Sequence, residues 1–167
     1  MHIDSPVTIR AATRQDIPDM IRLECQSPTA AHWTEAEYER MFEMSAPSAT
    51  RIFLVAEREP RIDLQGEISL VLGFLVASHV TPEWELENIV IAPEVRAKGI
   101  GTRLMQELLA RAKQTHSETV FLEVRESNVA ARALYAKLDF RETGRRKSYY
   151  VNPIEDAILY SKNLHQS

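Results

Sequence analysis

Two glycines, Gly99 and Gly101, stand where a strand-patterned segment hands over to an amphipathic helical one, and no other junction constrains the chain as much. Upstream, Trp84 to Ala92 reads as a strand. Downstream, Leu104, Met105, Leu108, Leu109 and Ala112 recur at helical spacing. A helix N-terminus carries N–H groups without intrahelical partners and the positive end of the helix dipole. Glycine allows an anion to approach that backbone closely. The run Arg96, Ala97, Lys98, Gly99, Ile100, Gly101 therefore reads as a phosphate or diphosphate cradle, or as a tight strand-to-helix turn. A P-loop is absent. A dinucleotide motif is absent too, because Leu104 stands where its third glycine belongs and the segment lies past the midpoint of the chain.

The remaining pattern is strand, two helices, three strands, helix, strand, helix, two strands. Val7 to Ala11 is the first strand. Thr13 opens a helix to about Gln26, with Asp16 as a partial capping box, and Thr34 with Glu37 opens a second. Arg51 to Glu57 is a strand, and Arg58 to Gly66, charged and broken by Pro60, reads as a hairpin loop. Ile68 to Val80 and Trp84 to Ala92 turn at Thr81 and Pro82. Thr119 to Val124 is nearly continuously apolar, as suits a strand covered on both faces. Ser127 or Asn128 caps a helix to Leu138; Phe140 to Tyr150 and Ala157 to Asn163 close a mixed sheet. At 167 residues a single domain, 1–167, is expected.

Composition excludes more than it assigns. No apolar run is long enough for a membrane span, and Met1 to Pro6 has no signal-peptide pattern. Cys25 is the lone cysteine, which rules out an internal disulfide and suits a reducing cytoplasm; its place in a helical pattern suggests a small packed residue. The histidines lack ligand spacing, so no metal is expected. A net charge of −4 argues against general nucleic-acid binding. Within the apolar run 120–124 sits one acid, Glu123. A charge there requires a cavity or a partner, so it is either a general base or half of an ion pair with Arg125 or another cation.

With Leu122 to Arg125, Ser127 and Asn128, Ala133 to Tyr135, and Arg145 to Tyr150 added to the glycine motif, the sequence resembles the GNAT N-acetyltransferase superfamily. Within it, the sequence looks most like the ribosomal-protein-alanine (RimI-type) branch. The motif of that superfamily reads Arg or Gln, two residues, Gly, one residue, Gly or Ala. The resemblance runs from about Trp84 to the C-terminus, and the N-terminal half is similar only in pattern. It implies an α/β (α+β) fold, a mixed and mostly antiparallel sheet with helices on both faces and a splayed central parallel pair.

The resemblance further implies acetyl-CoA as acetyl donor. Its diphosphate would rest on the amides of Ala97, Lys98, Gly99, Ile100, Gly101 and Thr102, with charge from Arg96 and Lys98. Its pantetheine arm would lie along the backbone of Ile89, Val90 and Ile91, with an oxyanion on an N–H near Val90 or Ile91. Asn128 would reach the cofactor as well as cap its helix. Glu123 becomes the base that strips an α-amino group, whose pKa is about 8. Tyr135 becomes the acid that protonates the departing thiolate, where packing alone would otherwise explain it. Transfer would be direct, with no acyl-enzyme.

The acceptor implied is the N-terminal alanine of a basic ribosomal-protein tail. Glu85 and Glu87, with Glu83 before them and Glu155 and Asp156 in the last loop, read as a negative rim or as a solvated acidic edge. Tyr149 and Tyr150 are expected in the peptide groove. A small amine or lysine side chain is the alternative acceptor, and a silent acyl-CoA-binding module the alternative class. A monomer or weak homodimer is expected. Asp139 departs from the family pattern, standing where relatives carry a glycine helix cap.

Overall fold

The computed structural model describes residues 6–44, 50–63 and 66–165. Seven strands form one sheet: β1 Val7–Ala11, β2 Thr50–Asp63, β3 Gly66–Val80, β4 Glu83–Ile91, β5 Thr119–Arg125, β6 Arg141–Tyr150 and β7 Glu155–Asn163. Four helices pack on it: α1 Ile17–Cys25, α2 Glu35–Glu43, α3 Ile100–Gln114 and α4 Val129–Lys137. The spatial order is β1-β2-β3-β4-β5-β7-β6. Neighbours run antiparallel except β4 and β5, which α3 connects as the crossover a parallel pair requires.

Local chemistry explains the elements. Thr34 and Glu37 cap α2 reciprocally: the Thr34 N–H donates to Glu37 Oε2 at 2.7 Å, and the Glu37 N–H to Thr34 Oγ1 at 3.3 Å. Asp16 receives the Thr13 N–H at 2.7 Å, but the segment it opens is a 3-10 turn, Arg14–Asp16, that precedes α1. Asp16 also holds Arg10 through two bonds of 2.8 Å, which ties β1 to this turn. The apolar stripe of α3, with Leu104, Met105 and Leu108 fully buried, packs on the centre of the sheet, where Leu54, Val55, Phe74 and Leu75 are also fully enclosed.

Two expectations change. The hairpin loop expected over Arg58 to Gly66 is largely strand: β2 continues to Asp63 and β3 begins at Gly66. Proline cannot donate to a ladder, and Pro60 falls in a register slip between Arg58 and Arg61, so the slip accommodates it. Cys25 is exposed at the end of α1, not packed.

The feature that shapes the site is a second slip. Val76 pairs with Asn88 and Ala77 with Leu86, leaving Glu87 as an extra residue on β4. Such a bulge bends its strand. On the other edge of β4, pairing with β5 ends at Leu86 and Leu122, one residue before the bulge. From Glu87 to Ile91 and from Glu123 to Arg125 the two strands have parted.

Candidate active site

The parted strands border a cavity of about 310 Å³. It is lined by Glu87 to Ile89 of β4, Glu123 to Arg125 of β5, Asn128 and Tyr135 around α4, Tyr150 of β6, and Thr29 to His32 between α1 and α2. Glu123 and Tyr135, chosen from sequence as base and acid, thus face one space. Strand alternation puts Val120, Leu122 and Val124 into the core and leaves Glu123 on the other side, where its side chain is 19% exposed. Tyr135 is 3% exposed, and the rings of Phe140 and Tyr160 stand 6.0 Å from its own. Burial first, then Tyr150, pushes its phenol above the usual range, which keeps it protonated at neutral pH.

Glu123 is ion-paired, but not with Arg125. Its partner is Arg146, whose Nε lies 2.9 Å from Glu123 Oε1. Arg125 is taken by Glu155 at 2.9 Å and lies over the Tyr150 ring, 4.2 Å from its centroid. Burial, followed by the Glu123 charge, pushes the Tyr150 phenol up.

The backbone edge is available, with one correction. The Ala92 N–H donates to the Leu72 carbonyl across β3. Hydrogen bonding alternates along an antiparallel pair, and Val90, two residues earlier and opposite Phe74, shares that phase. Its N–H and C=O therefore face β3. Ile89 and Ile91 turn theirs into the gap, and the Ile91 carbonyl accepts the Arg96 Nε at 3.2 Å. Val90, 2% exposed, is a core residue, and the gap-facing amides belong to Ile89 and Ile91. Arg96, expected to add charge to the anion cradle, is here a backbone clamp.

The two glycines serve different ends. Gly99 precedes α3 with φ +82°, a left-handed conformation, and a Cβ there would meet open space. At Gly101 a Cβ would sit 3.2 Å from Leu134 Cδ2 and 3.7 Å from Ile91 Cγ1, so this glycine lets α3 approach β4 and α4. No side chain caps α3, which leaves the first-turn amides of Ile100, Gly101 and Thr102 without intrahelical acceptors beside the gap. Ala97 also adopts a positive φ, +60°, and with Lys98 completes the turn. This is a donor set suited to an anion, joined to an unpaired strand edge suited to an extended amide chain.

Asn128 caps α4, accepting the Ala131 N–H at 3.2 Å, and its Nδ2 reaches Thr29 Oγ1 at 3.2 Å, so it also ties down the wall of the cavity. The acidic rim is narrower than expected. Glu87 is clamped by Arg51 through bonds of 2.8 and 2.7 Å. Glu155 and Asp156 open β7 and are committed, Glu155 to Arg125 and Ser127, and Asp156 to Arg145 and Ser148. Glu85 lies outside the cavity lining, and Tyr149 is 49% exposed with its ring 5.5 Å from the Arg146 guanidinium. Sequence reasoning missed Arg146 and Arg51 as partners of these acids, since nothing in spacing links β6 to β5 or β2 to β4.

Comparison with known proteins agrees with this geometry. The family described as "Acetyltransferase (GNAT) family" matches residues 17–140. A Haemophilus influenzae protein named [Ribosomal protein bS18]-alanine N-acetyltransferase is 40% identical over 87 residues, 52% of this chain and 59% of the relative, so the match spans less than two thirds of that protein. A Mycobacterium tuberculosis protein named N-alpha-acetyltransferase RimI is 34% identical over 147 residues, 87% of this chain and 85% of the relative. Among solved structures, the ribosomal-protein-S18-alanine N-acetyltransferase from Escherichia coli superposes with a TM-score of 0.73 at 25% identity, covering 97% of this chain and 96% of the other. Arabidopsis thaliana NAA60 in complex with acetyl-CoA shares the fold, with a TM-score of 0.81 at 16% identity over 95% of this chain and 98% of the other. With an anion turn, a parted parallel pair and a family match over most of its length, the chain belongs to the GNAT acetyltransferase family.

Proposed function

We propose that this protein transfers an acetyl group from acetyl-CoA to the free α-amine of a protein N-terminus, with the N-terminal alanine of a basic ribosomal-protein tail as the acceptor. The observation that carries the reading is Glu123 and Tyr135 facing one cavity at the point where β4 and β5 part. The names of the relatives support the acceptor class.

The residues present fit the cofactor. The first-turn amides of α3 and the turn from Ala97 to Gly99 would hold the diphosphate, the glycine at 101 keeping α3 close to β4, and the Ile89 and Ile91 backbone would hold the arm. Acetyl-CoA supplies the activated acetyl group. Glu123 accepts a proton from the acceptor amine, whose pKa near 8 asks only for a modest base. An N–H of Ile89 or Ile91 stabilises the developing oxyanion. Its raised pKa keeps the Tyr135 hydroxyl protonated at neutral pH, so that it can hydrogen-bond to the leaving sulfur and pass it a proton as the C–S bond breaks.

The test is thiol release from acetyl-CoA with alanine-started basic peptides, their N-blocked forms, lysine peptides and polyamines. Turnover confined to free alanine termini supports the proposal. Turnover on polyamines or blocked lysine peptides replaces the acceptor. Tight acetyl-CoA binding without turnover on any amine replaces the enzyme with a silent module.

A further inference from the structure

The acids at the mouth of the gap are not matched by cations. Glu85 of β4 feels both Glu87 of its own strand and Glu123 of β5, and two guanidiniums serve the three. Arg51 grips Glu87 with two bonds, and Arg146 touches Glu123 with one nitrogen. Among the described residues Glu85 has no ion-pair partner, although Arg51 and Arg146 are both near enough to act on it. Burial, then Glu87 and Glu123, holds its carboxyl above the ordinary range. The deficit is one positive charge, the charge an acceptor ammonium brings.

We propose that Arg146 is a two-position specificity residue, resting on Glu123 in the free protein and passing to Glu85 when the acceptor's ammonium takes its place. This rests on the acceptor reading above.

Arg146 is the guanidinium free to move. Its side chain is 55% exposed, against 26% for Arg51. It sits at the edge of the sheet where the β6–β7 register slips between Arg146 and Tyr150, and Ser148 in that slip has φ +49°. A guanidinium left on Glu123 would repel the arriving ammonium and occupy the carboxylate oxygen it must reach. Moving to Glu85 removes both penalties and keeps Arg146 paired. Three carboxylates then face three cations. The charged and titratable groups around Glu123 are Glu85 and Glu87 from β4, Arg146 and Tyr150 from β6, and Arg125 of its own strand, held by Glu155.

The experiment is a double-mutant cycle of Arg146→Met and Glu85→Gln on an alanine-started peptide, with KM and kcat measured for each. Arg146→Met removes the cation the acceptor must displace. Acceptor KM should fall about fivefold, roughly the worth of one exposed pair. Glu85→Gln removes the second seat, so KM should rise, and by clearly more with Arg146 present than in the Arg146→Met background, where only the loss of one negative charge remains. Arg146→Lys should behave as wild type. Effects of the two substitutions that simply multiply, or a KM that rises with Arg146→Met, would overturn the proposal.

Nitrogen-15 NMR of the Arg146 side-chain Nε–H, with and without an alanine-started peptide, reads the position of the guanidinium independently of turnover. An Arg146 signal that the peptide leaves unmoved removes the inference. A moved signal together with no turnover on any amine removes the acceptor reading and, with it, the second position.

Discussion

Leu86 and Leu122 form the last rung between β4 and β5, and the bulge at Glu87 begins on the very next residue of β4. One extra residue, paired to nothing on β3, thus stands where the parallel pair opens. The opening frees the Ile89 and Ile91 backbone and gives Glu123 a cavity to face instead of a neighbouring strand. An acid in a central strand is costly unless it meets water or a partner, and here it meets both.

Removing the proposed base or acid should separate chemistry from binding. Glu123→Gln is expected to lower kcat by about 10²–10⁴, the range general base catalysis commonly supplies, with acetyl-CoA affinity by calorimetry within about twofold of wild type. Tyr135→Phe should lower kcat similarly, because the phenyl ring keeps its packing against Phe140 and Tyr160 and loses only the hydroxyl. A wild-type rate in either variant removes that residue from the mechanism.

The two glycines should resist an added side chain for different reasons. Gly99→Ala has room but must hold φ +82°, so it should cost about 1 kcal/mol of stability. Because it disturbs the turn itself, weaker acetyl-CoA binding should accompany that loss. At Gly101 the backbone is unremarkable and the space is missing, with Leu134 Cδ2 at 3.2 Å. Gly101→Val should therefore destabilise by about 1–3 kcal/mol through overpacking, read by urea unfolding, and more than Gly101→Ala.

Much of this was legible beforehand. The glycine turn and the Asn128 cap are local, and local pattern carries them. The run 119–124, expected to be covered on both faces, is buried only at alternate residues, which is what leaves Glu123 part-exposed. What was not legible depends on register between distant strands. A single slip at Val76 and Ala77 decides which β4 carbonyls face the gap, and so Ile89 and Ile91 replace Val90. Glu87 looked like a free acid because the sequence does not reveal that Arg51, on β2, reaches it across β3. The hairpin loop was overdrawn because Pro60 breaks a ladder only when no bulge receives it.

That correction predicts a different phenotype for Glu87. Glu87→Gln should leave Arg51 half-buried without its carboxylate and lower stability by about 1–2 kcal/mol. A free rim acid would instead leave stability unchanged.

Asp139 tests the family departure. Its φ is +61°, the left-handed conformation a glycine would take without strain. Its ion pair with Lys162 spans 3.6 Å with the aspartate side chain 88% exposed, so little is lost with it. The Lys162 ammonium also donates to the Leu138 carbonyl at 2.8 Å, a helix-end bond that survives the change. Asp139→Gly is therefore expected to raise stability by about 0.5–1 kcal/mol, with catalysis unchanged. A loss of stability would show that the left-handed aspartate is favoured by something other than its ion pair.

Beneath the site, Glu24 predicts a pH dependence opposite to that of an ordinary paired carboxylate. It is 1% exposed and accepts a 2.5 Å hydrogen bond from Asn88 Nδ2. Burial raises its pKa, and the Asn88 bond only partly opposes that. A carboxyl whose folded pKa exceeds its unfolded value near 4.5 binds more protons folded than unfolded. Its contribution is therefore fully present below about pH 4.5 and is lost as pH rises through the folded value. Asp16, held below the usual range because its bonds to Arg10 and Thr13 outweigh its burial, contributes in the opposite sense, so the whole-protein curve mixes the two. The difference between wild type and Glu24→Gln isolates the first. Glutamine keeps an acceptor for Asn88 and cannot ionise. The variant should gain on wild type as pH rises from 4.5 to 8 in urea unfolding series. A difference constant across that range would mean that Glu24 has the same pKa folded and unfolded, and that Asn88 fully compensates its burial.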